Sequence, residues 1–169
     1  MKKKDLEKYV NKATKKVKEV RNKVNNSNIK LPKELDFLEF LIEYIPTPFE
    51  VADAYKIKYK FIDLNQDKPS YYKNGTIYIS NKYSKNSYIA KFLCAHELGH
   101  YFMQDKEEMA AMNNDDINKY SRTELLKEYE ANVFAILLMP QFMAGQPWEK
   151  YFPMRLNRKI YEKVFNNDG

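Results

Sequence analysis

The sequence has few of the residues from which several kinds of site are built. A single cysteine in 169 residues excludes an internal disulfide, as is typical of a reducing compartment. The longest apolar run, residues 133–139, is too short to cross a bilayer. The basic first residues continue into more lysine and glutamate, so no signal-peptide apolar region follows them. We therefore expect a cytoplasmic protein with no membrane partner.

Net positive charge is confined to one segment of the chain. Residues 1–30 carry eleven basic and three acidic residues, a balance of +8, whereas the rest of the chain has a balance of −2. A hydrophobic content of 44% and an aromatic content of 15% are typical of a folded globule, and the length suits one domain with a core. We expect a basic amphipathic helix or arm at 1–30 and the main domain at 31–169.

The basic segment has an apolar stripe at helical spacing, formed by Leu6, Val10, Ala13, Val17, Val20 and Val24. The stripe predicts a solvated helix that packs on the body of the protein or on another chain. The alternative is contact of its lysines with nucleic acid or an anionic surface. Because the stripe consists mainly of valine and alanine, we expect modest packing, and the segment offers no candidate metal ligand.

The remaining pattern predicts an α+β fold, mostly helical, with a small antiparallel or mixed sheet. Predicted helices cover 33–45, 47–55, about 86–103 and 121–139, with a strand at 56–64, a hairpin at 70–80 turning at Asn74-Gly75, a loop at 104–120 and one or two helical segments at 141–169. We expect the strand at 76–80 to lie at a sheet edge beside the cleft and to bind substrate as an added strand.

Both histidines of the chain lie in the motif His-Glu-Leu-Gly-His at residues 96–100. Positions i and i+4 share one face of a helix, so His96 and His100 can direct two imidazoles to one point. Neutral imidazoles suit zinc, and Glu97 would then be the general base for a zinc-bound water. Gly99 lowers helix stability, which indicates close approach of another element. The alternative is an ordinary helix whose histidines face solvent or are satisfied in the core.

A catalytic zinc ion needs a third protein ligand and one open position. The chain has no third histidine, and Cys94 lies on another side of the helix from His96 and is predicted to pack in the core. The third ligand must therefore be a carboxylate, and the next long helix offers Glu128 and Glu130. Small neighbours on its face favour Glu128, and Asn132, one turn on, could orient a ligand histidine. Either carboxylate could instead be solvated.

Three stretches together resemble the ImmA/IrrE family of bacterial metallopeptidases over about residues 50–140. They are "GTIYIS", "HELGHYFM" and, some thirty residues later, "EYEANVFAILLMP". The resemblance implies a minimal gluzincin with one zinc ion, and the ligand types leave other divalent metals such as manganese or iron as alternatives. Its ligands would be His96, His100 and Glu128, and Glu97 would be the base. Asn132 would hydrogen-bond to a ligand histidine and orient it. Many relatives carry another histidine where this chain has Gln104, which we expect to leave a three-ligand site unaffected.

The resemblance also implies a protein partner, since family members cleave or antagonise helix-turn-helix repressors of mobile elements or stress loci. We therefore expect a zinc endopeptidase that acts on such a repressor. One alternative is an anti-repressor that holds zinc and binds its partner with little cleavage, and another is nucleic-acid binding through the basic helix. A donor for the oxyanion would have to be a tyrosine or arginine, and the candidates are Tyr71, Tyr72, Tyr101 and Arg155.

Overall fold

The computed structural model describes residues 3–28, 46–65, 68–104 and 120–139. Within these residues the chain forms four helices and three strands, as predicted for an α+β fold. The helices are α1 (Lys3–Asn28), α2 (Pro48–Ala54), α3 (Tyr88–Met103) and α4 (Arg122–Leu138), and the strands are β1 (Lys58–Ile62), β2 (Ser70–Lys73) and β3 (Thr76–Ser80). The predicted helix at 33–45, almost all of the predicted loop at 104–120 and the tail at 141–169 lie outside the described residues.

Side-chain caps fix where three of the helices begin. The Thr47 hydroxyl accepts the Glu50 N–H ahead of α2, and Ser121 and Glu124 form a complete capping box at the start of α4. Helix α3 begins at Tyr88 rather than near Asn86, because the hydroxyl of Ser87 accepts the N–H of Ala90 and makes Ser87 the cap. These local signals place α3 and α4, which carry the candidate site.

The sheet is mixed, and its strand order is β1-β3-β2. Asn74 and Gly75 both have positive φ, as a two-residue hairpin turn requires, and join the antiparallel strands β2 and β3. Strand β1 pairs in parallel with the other side of β3, with Tyr59 opposite Ile77 and Phe61 opposite Ile79. This register brings the apolar residues of both strands to one face of the sheet.

The prediction that β3 is an edge strand available to substrate is therefore wrong. β3 is hydrogen-bonded to β2 on one side and to β1 on the other. The alternation of apolar residues shows which face of a strand is buried, but it carries no information about which strands are neighbours. The hairpin leaves one side of β3 open, and β1 fills that side.

Helices α3 and α4 pack very closely at Gly99. A Cβ atom at this position would lie 2.7 Å from both the Cα and the carbonyl oxygen of Ala131, so only glycine fits against α4 there. Ala131 and Ala135 are fully buried, as expected of small residues at a close helix crossing. Cys94 is buried in the core as predicted, and this burial raises the pKa of its thiol well above the usual value.

Helix α1 packs on the body of the protein through the predicted stripe. Val10 is 39% exposed, but the four later stripe residues belong to the core: Ala13, Val17, Val20 and Val24. Polar contacts add to this packing, because Lys12 donates to the carbonyl of Met103 and Arg21 to that of Leu137 at the end of α4. The packing of α1 is thus more extensive than the modest packing expected from its valine and alanine stripe. The side chain of Leu6 lies outside the described residues. A domain boundary at residue 30 stays a prediction.

Among the residues that the structure describes, none of the helices has both the length and the apolar character needed to cross a bilayer.

Candidate metal centre

Two imidazoles from consecutive turns of α3 converge in the interior of the part of the chain that the structure describes. The Nε2 atoms of His96 and His100 are 3.1 Å apart, and the rings are nearly perpendicular. The two residues are only 6% and 1% exposed. The i and i+4 spacing therefore produces the convergence that the sequence predicted, and it does so in the core rather than at the surface.

Helix α4 brings a carboxylate to the same point. The Oε2 atom of Glu128 lies 2.9 Å from Nε2 of His96, and its Oε1 atom lies 3.2 Å from Nε2 of His100. Glu130 lies elsewhere, half-buried and 3.5 Å from the ammonium of Lys12. Within the described residues, His96, His100 and Glu128 form a group that could hold a metal ion.

Two amide side chains set the protonation of the imidazoles. The Nδ1 atom of His96 lies 2.7 Å from Oδ1 of Asn132, and Nδ1 of His100 lies 2.5 Å from Oε1 of Gln104. Since an amide oxygen only accepts, each Nδ1 carries the proton and donates it. In the neutral form of each imidazole, the Nε2 atom then keeps a lone pair that points at the centre. Asn132 thus has the position that the sequence predicted.

The donor set fits a divalent cation. Two Nε2 lone pairs and a carboxylate converge, and neither oxygen of Glu128, a buried residue, accepts a hydrogen bond. Such a buried anion without a donor is costly unless a cation compensates it. Four tetrahedral ligands about 2.1 Å from zinc lie roughly 3.4 Å from one another, close to the separations found here. Two imidazoles and one carboxylate are also a donor set found in catalytic zinc sites.

The pKa shifts of Glu128 and His100 also show that the centre favours a positive charge. Burial alone would raise the pKa of Glu128, but the attraction of His100 and His96 outweighs it and holds this pKa well below its usual range. Burial alone would lower the pKa of His100, yet the Glu128 carboxylate raises it to about 9. The centre therefore attracts a cation, whether a proton or a metal ion.

A second buried carboxylate, Glu97, follows the first histidine. Its Oε1 atom accepts a hydrogen bond of 2.8 Å from the hydroxyl of Ser70 on β2, while its Oε2 atom has no hydrogen-bond partner. Burial raises the pKa of Glu97, although the two histidines and Ser70 act against this rise. One oxygen is thus fixed by the protein, and the other is available to take up a proton.

Sequence reasoning missed two residues of this centre. Ser70 gave no signal, because a serine at the start of a strand is common and its partner Glu97 lies on another element. Gln104 lies one turn after His100 and so shares its face of the helix. This spacing could have predicted a contact between the two side chains. It was expected to leave the site unaffected, yet its amide contacts a candidate ligand directly.

Two of the tyrosine candidates for an oxyanion donor, Tyr71 and Tyr72, lie on opposite faces of the sheet. Tyr71 stacks on Tyr78, on the face of the sheet opposite to Ser70, and so points away from Glu97. Tyr72 shares the face of Ser70 and packs edge-on against Tyr101. Arg155 lies outside the described residues.

Comparison with known protein families agrees with this geometry. The sequence model of the IrrE N-terminal-like domain family, Peptidase_M78, matches residues 52–158, which is more than half of the chain. Searches of curated proteins and of solved structures gave no match. The matched region contains the motif on α3 and the carboxylate helix α4, so the resemblance seen in the sequence is confirmed. The chain therefore belongs to the IrrE N-terminal-like domain family, a family of metallopeptidase type.

Proposed function

We propose that the protein is a zinc-dependent endopeptidase in which His96, His100 and Glu128 hold one metal ion and Glu97 is the catalytic base. The observation that carries the proposal is the buried convergence of the two imidazole Nε2 atoms and the Glu128 carboxylate on one point. The adjacent carboxylate of Glu97 supports a catalytic role over a purely structural one, because a structural site has no use for it.

The chain's own residues have distinct tasks in this reaction. A bound zinc ion would act as a Lewis acid on the peptide carbonyl and lower the pKa of a water molecule. Glu97 takes a proton from the attacking water on Oε2 and delivers it to the leaving nitrogen, while Ser70 holds Oε1. Asn132 holds the imidazole of His96 in the tautomer that leaves Nε2 unprotonated.

We further propose that the substrate is a partner protein and that a helix-turn-helix repressor of a mobile element or stress locus is its class. This part of the proposal rests on the resemblance to the ImmA/IrrE family. The test is to mix the purified protein with the regulator encoded beside its gene and to follow cleavage with zinc present and after chelation. Cleavage that continues at the same rate without zinc would contradict the proposal.

The main alternative is an anti-repressor that holds zinc and binds its partner without cutting it. Glu97→Gln separates the two functions, because partner binding survives in both cases but cleavage is lost only if the protein is a peptidase. A buried, hydrogen-bonded Glu97 favours the peptidase.

Direct nucleic-acid binding through α1 has less support. Several of its basic residues make contacts within the protein. Lys12 and Arg21 bond to backbone carbonyls, and Lys23 lies over the ring of Tyr55. The charge of this helix thus serves the packing of the chain in part.

A further inference from the structure

We infer that Gln104 is a positioning residue that sets the geometry of two metal ligands on two different helices. It orients His100 on α3 and ties α3 to the backbone beside Glu128 on α4. This inference rests on the metal centre proposed above and extends it to a residue that is not itself a ligand.

The first contact of Gln104 is with the imidazole of His100. Its Oε1 atom accepts the proton of Nδ1, and its own backbone N–H donates to the His100 carbonyl at 3.1 Å. Gln104 is the C-cap of α3, and both its backbone N–H and its side chain bond to the candidate ligand one turn earlier. The imidazole is thereby fixed in rotation and in tautomer, and its Nε2 lone pair faces the centre.

The second contact of Gln104 crosses to the other helix. Its Nε2 atom donates to the carbonyl oxygen of Lys127 at 2.6 Å, and Lys127 directly precedes Glu128 in α4. This bond also settles the orientation of the amide. If the amide were reversed, its oxygen would face the Lys127 carbonyl and two acceptors would be opposed.

The two contacts need different groups on the side chain, so a substitution can remove one contact and keep the other. The contact with His100 needs an acceptor, and the contact with Lys127 needs a donor. Glutamine supplies both, and Gln104 is only 8% exposed, so water has little access to replace either. Gln104→Glu keeps the acceptor and loses the donor, whereas Gln104→Met loses both at similar size.

The experiment measures zinc affinity of the full chain by competition with a chromophoric chelator, together with the visible spectrum of the Co²⁺-substituted protein. We expect Gln104→Met to bind zinc roughly 10–100-fold more weakly than wild type, which is the usual effect of removing a residue behind a ligand. The Co²⁺ bands should shift, because the imidazole of His100 is free to rotate. Lys12→Met is the matched control. It removes another contact at the end of α3 but leaves both bonds of Gln104, so its affinity and spectrum should remain those of wild type.

Gln104→Glu keeps the test decisive if Gln104→Met does not fold. We expect Gln104→Glu to retain most of the zinc affinity while the metal-free protein unfolds at a lower temperature, since Lys127 loses its donor. Loss of zinc affinity in Gln104→Glu, which keeps the acceptor, would overturn the role of the acceptor, and unchanged affinity in Gln104→Met would overturn the inference as a whole. A wild-type chain that binds no metal would instead overturn the proposed function, so the two failures are distinguishable.

Discussion

Oε2 of Glu128 lies 2.9 Å from Nε2 of His96, although the two residues belong to different helices. Neither carboxylate oxygen of Glu128 accepts a hydrogen bond, and the residue is 1% exposed. A second carboxylate only two positions away, Glu130, pairs with Lys12 instead. This relationship decides which acidic residue of α4 belongs to the centre.

Glu128→Gln should therefore weaken zinc binding by more than the roughly 10–100-fold typical of a residue behind a ligand. Glu130→Gln is the matched control and should change zinc affinity little, since its partner is a lysine at the surface of α1. Zinc content after dialysis against a mild chelator measures both. Retention by Glu128→Gln with loss by Glu130→Gln would reverse the assignment.

Glu97→Gln should lower the rate of cleavage by about 10²–10⁴-fold while fold and zinc content are kept. An amide of the same shape cannot accept the proton that Oε2 takes up. The measurements are cleavage of the partner protein, bound zinc and thermal unfolding of the same preparation. Cleavage at the wild-type rate would show that the hydrolysis comes from elsewhere.

Ser70→Ala should reduce cleavage by on the order of 10-fold and leave zinc bound. The hydroxyl holds one oxygen of Glu97 at 2.8 Å, and a hydrogen bond to a charged group contributes about 1.5–3 kcal/mol. Ser80→Ala is the control, because Ser80 is an equally buried serine of the same sheet whose hydroxyl bonds to the Lys82 backbone. Equal effects of the two substitutions would mean that Ser70 only supports the fold.

Gly99→Ala should destabilise the protein by about 1–3 kcal/mol, as overpacking of a core does, and weaken zinc binding. Alanine is the better helix former by about 1 kcal/mol, so propensity alone predicts the opposite sign. The added methyl would lie 2.7 Å from the backbone of Ala131 and push α4, with Glu128, away from the histidines. Thermal unfolding and zinc competition report the two effects. A variant as stable as wild type would show that the helices separate freely.

Val20→Ala should cost about 1–3 kcal/mol of stability through lost burial and the cavity that remains. Val10→Ala is the control from the same stripe, since Val10 is 39% exposed and Val20 is fully buried. Neither should alter zinc affinity of the folded protein, because the candidate ligand group found among the described residues includes no residue of α1. Denaturant unfolding measures the difference, and equal costs would contradict the packing of α1 in the core.

The sequence by itself determined the features that depend on local geometry. The spacing of His96 and His100 places both imidazoles on one face wherever a helix forms. The capping residues Thr47 and Ser121 marked helix starts, and Asn74-Gly75 marked the hairpin, because each satisfies the backbone within a few residues. Small neighbours and the position of Asn132 also pointed to Glu128, since a helix that approaches another closely needs small side chains.

Only the tertiary structure decided the relationships between distant segments. The parallel pairing of β1 with β3 made β3 a central strand, and nothing in the pattern of either strand specifies its neighbour. The hydrogen bonds of Ser70 to Glu97 and of Gln104 to Lys127 depend on how elements pack, because a polar side chain in the sequence does not reveal its partner. Helix periodicity indicates which face is buried, but the distances at the metal centre arise only when α3 and α4 meet at Gly99.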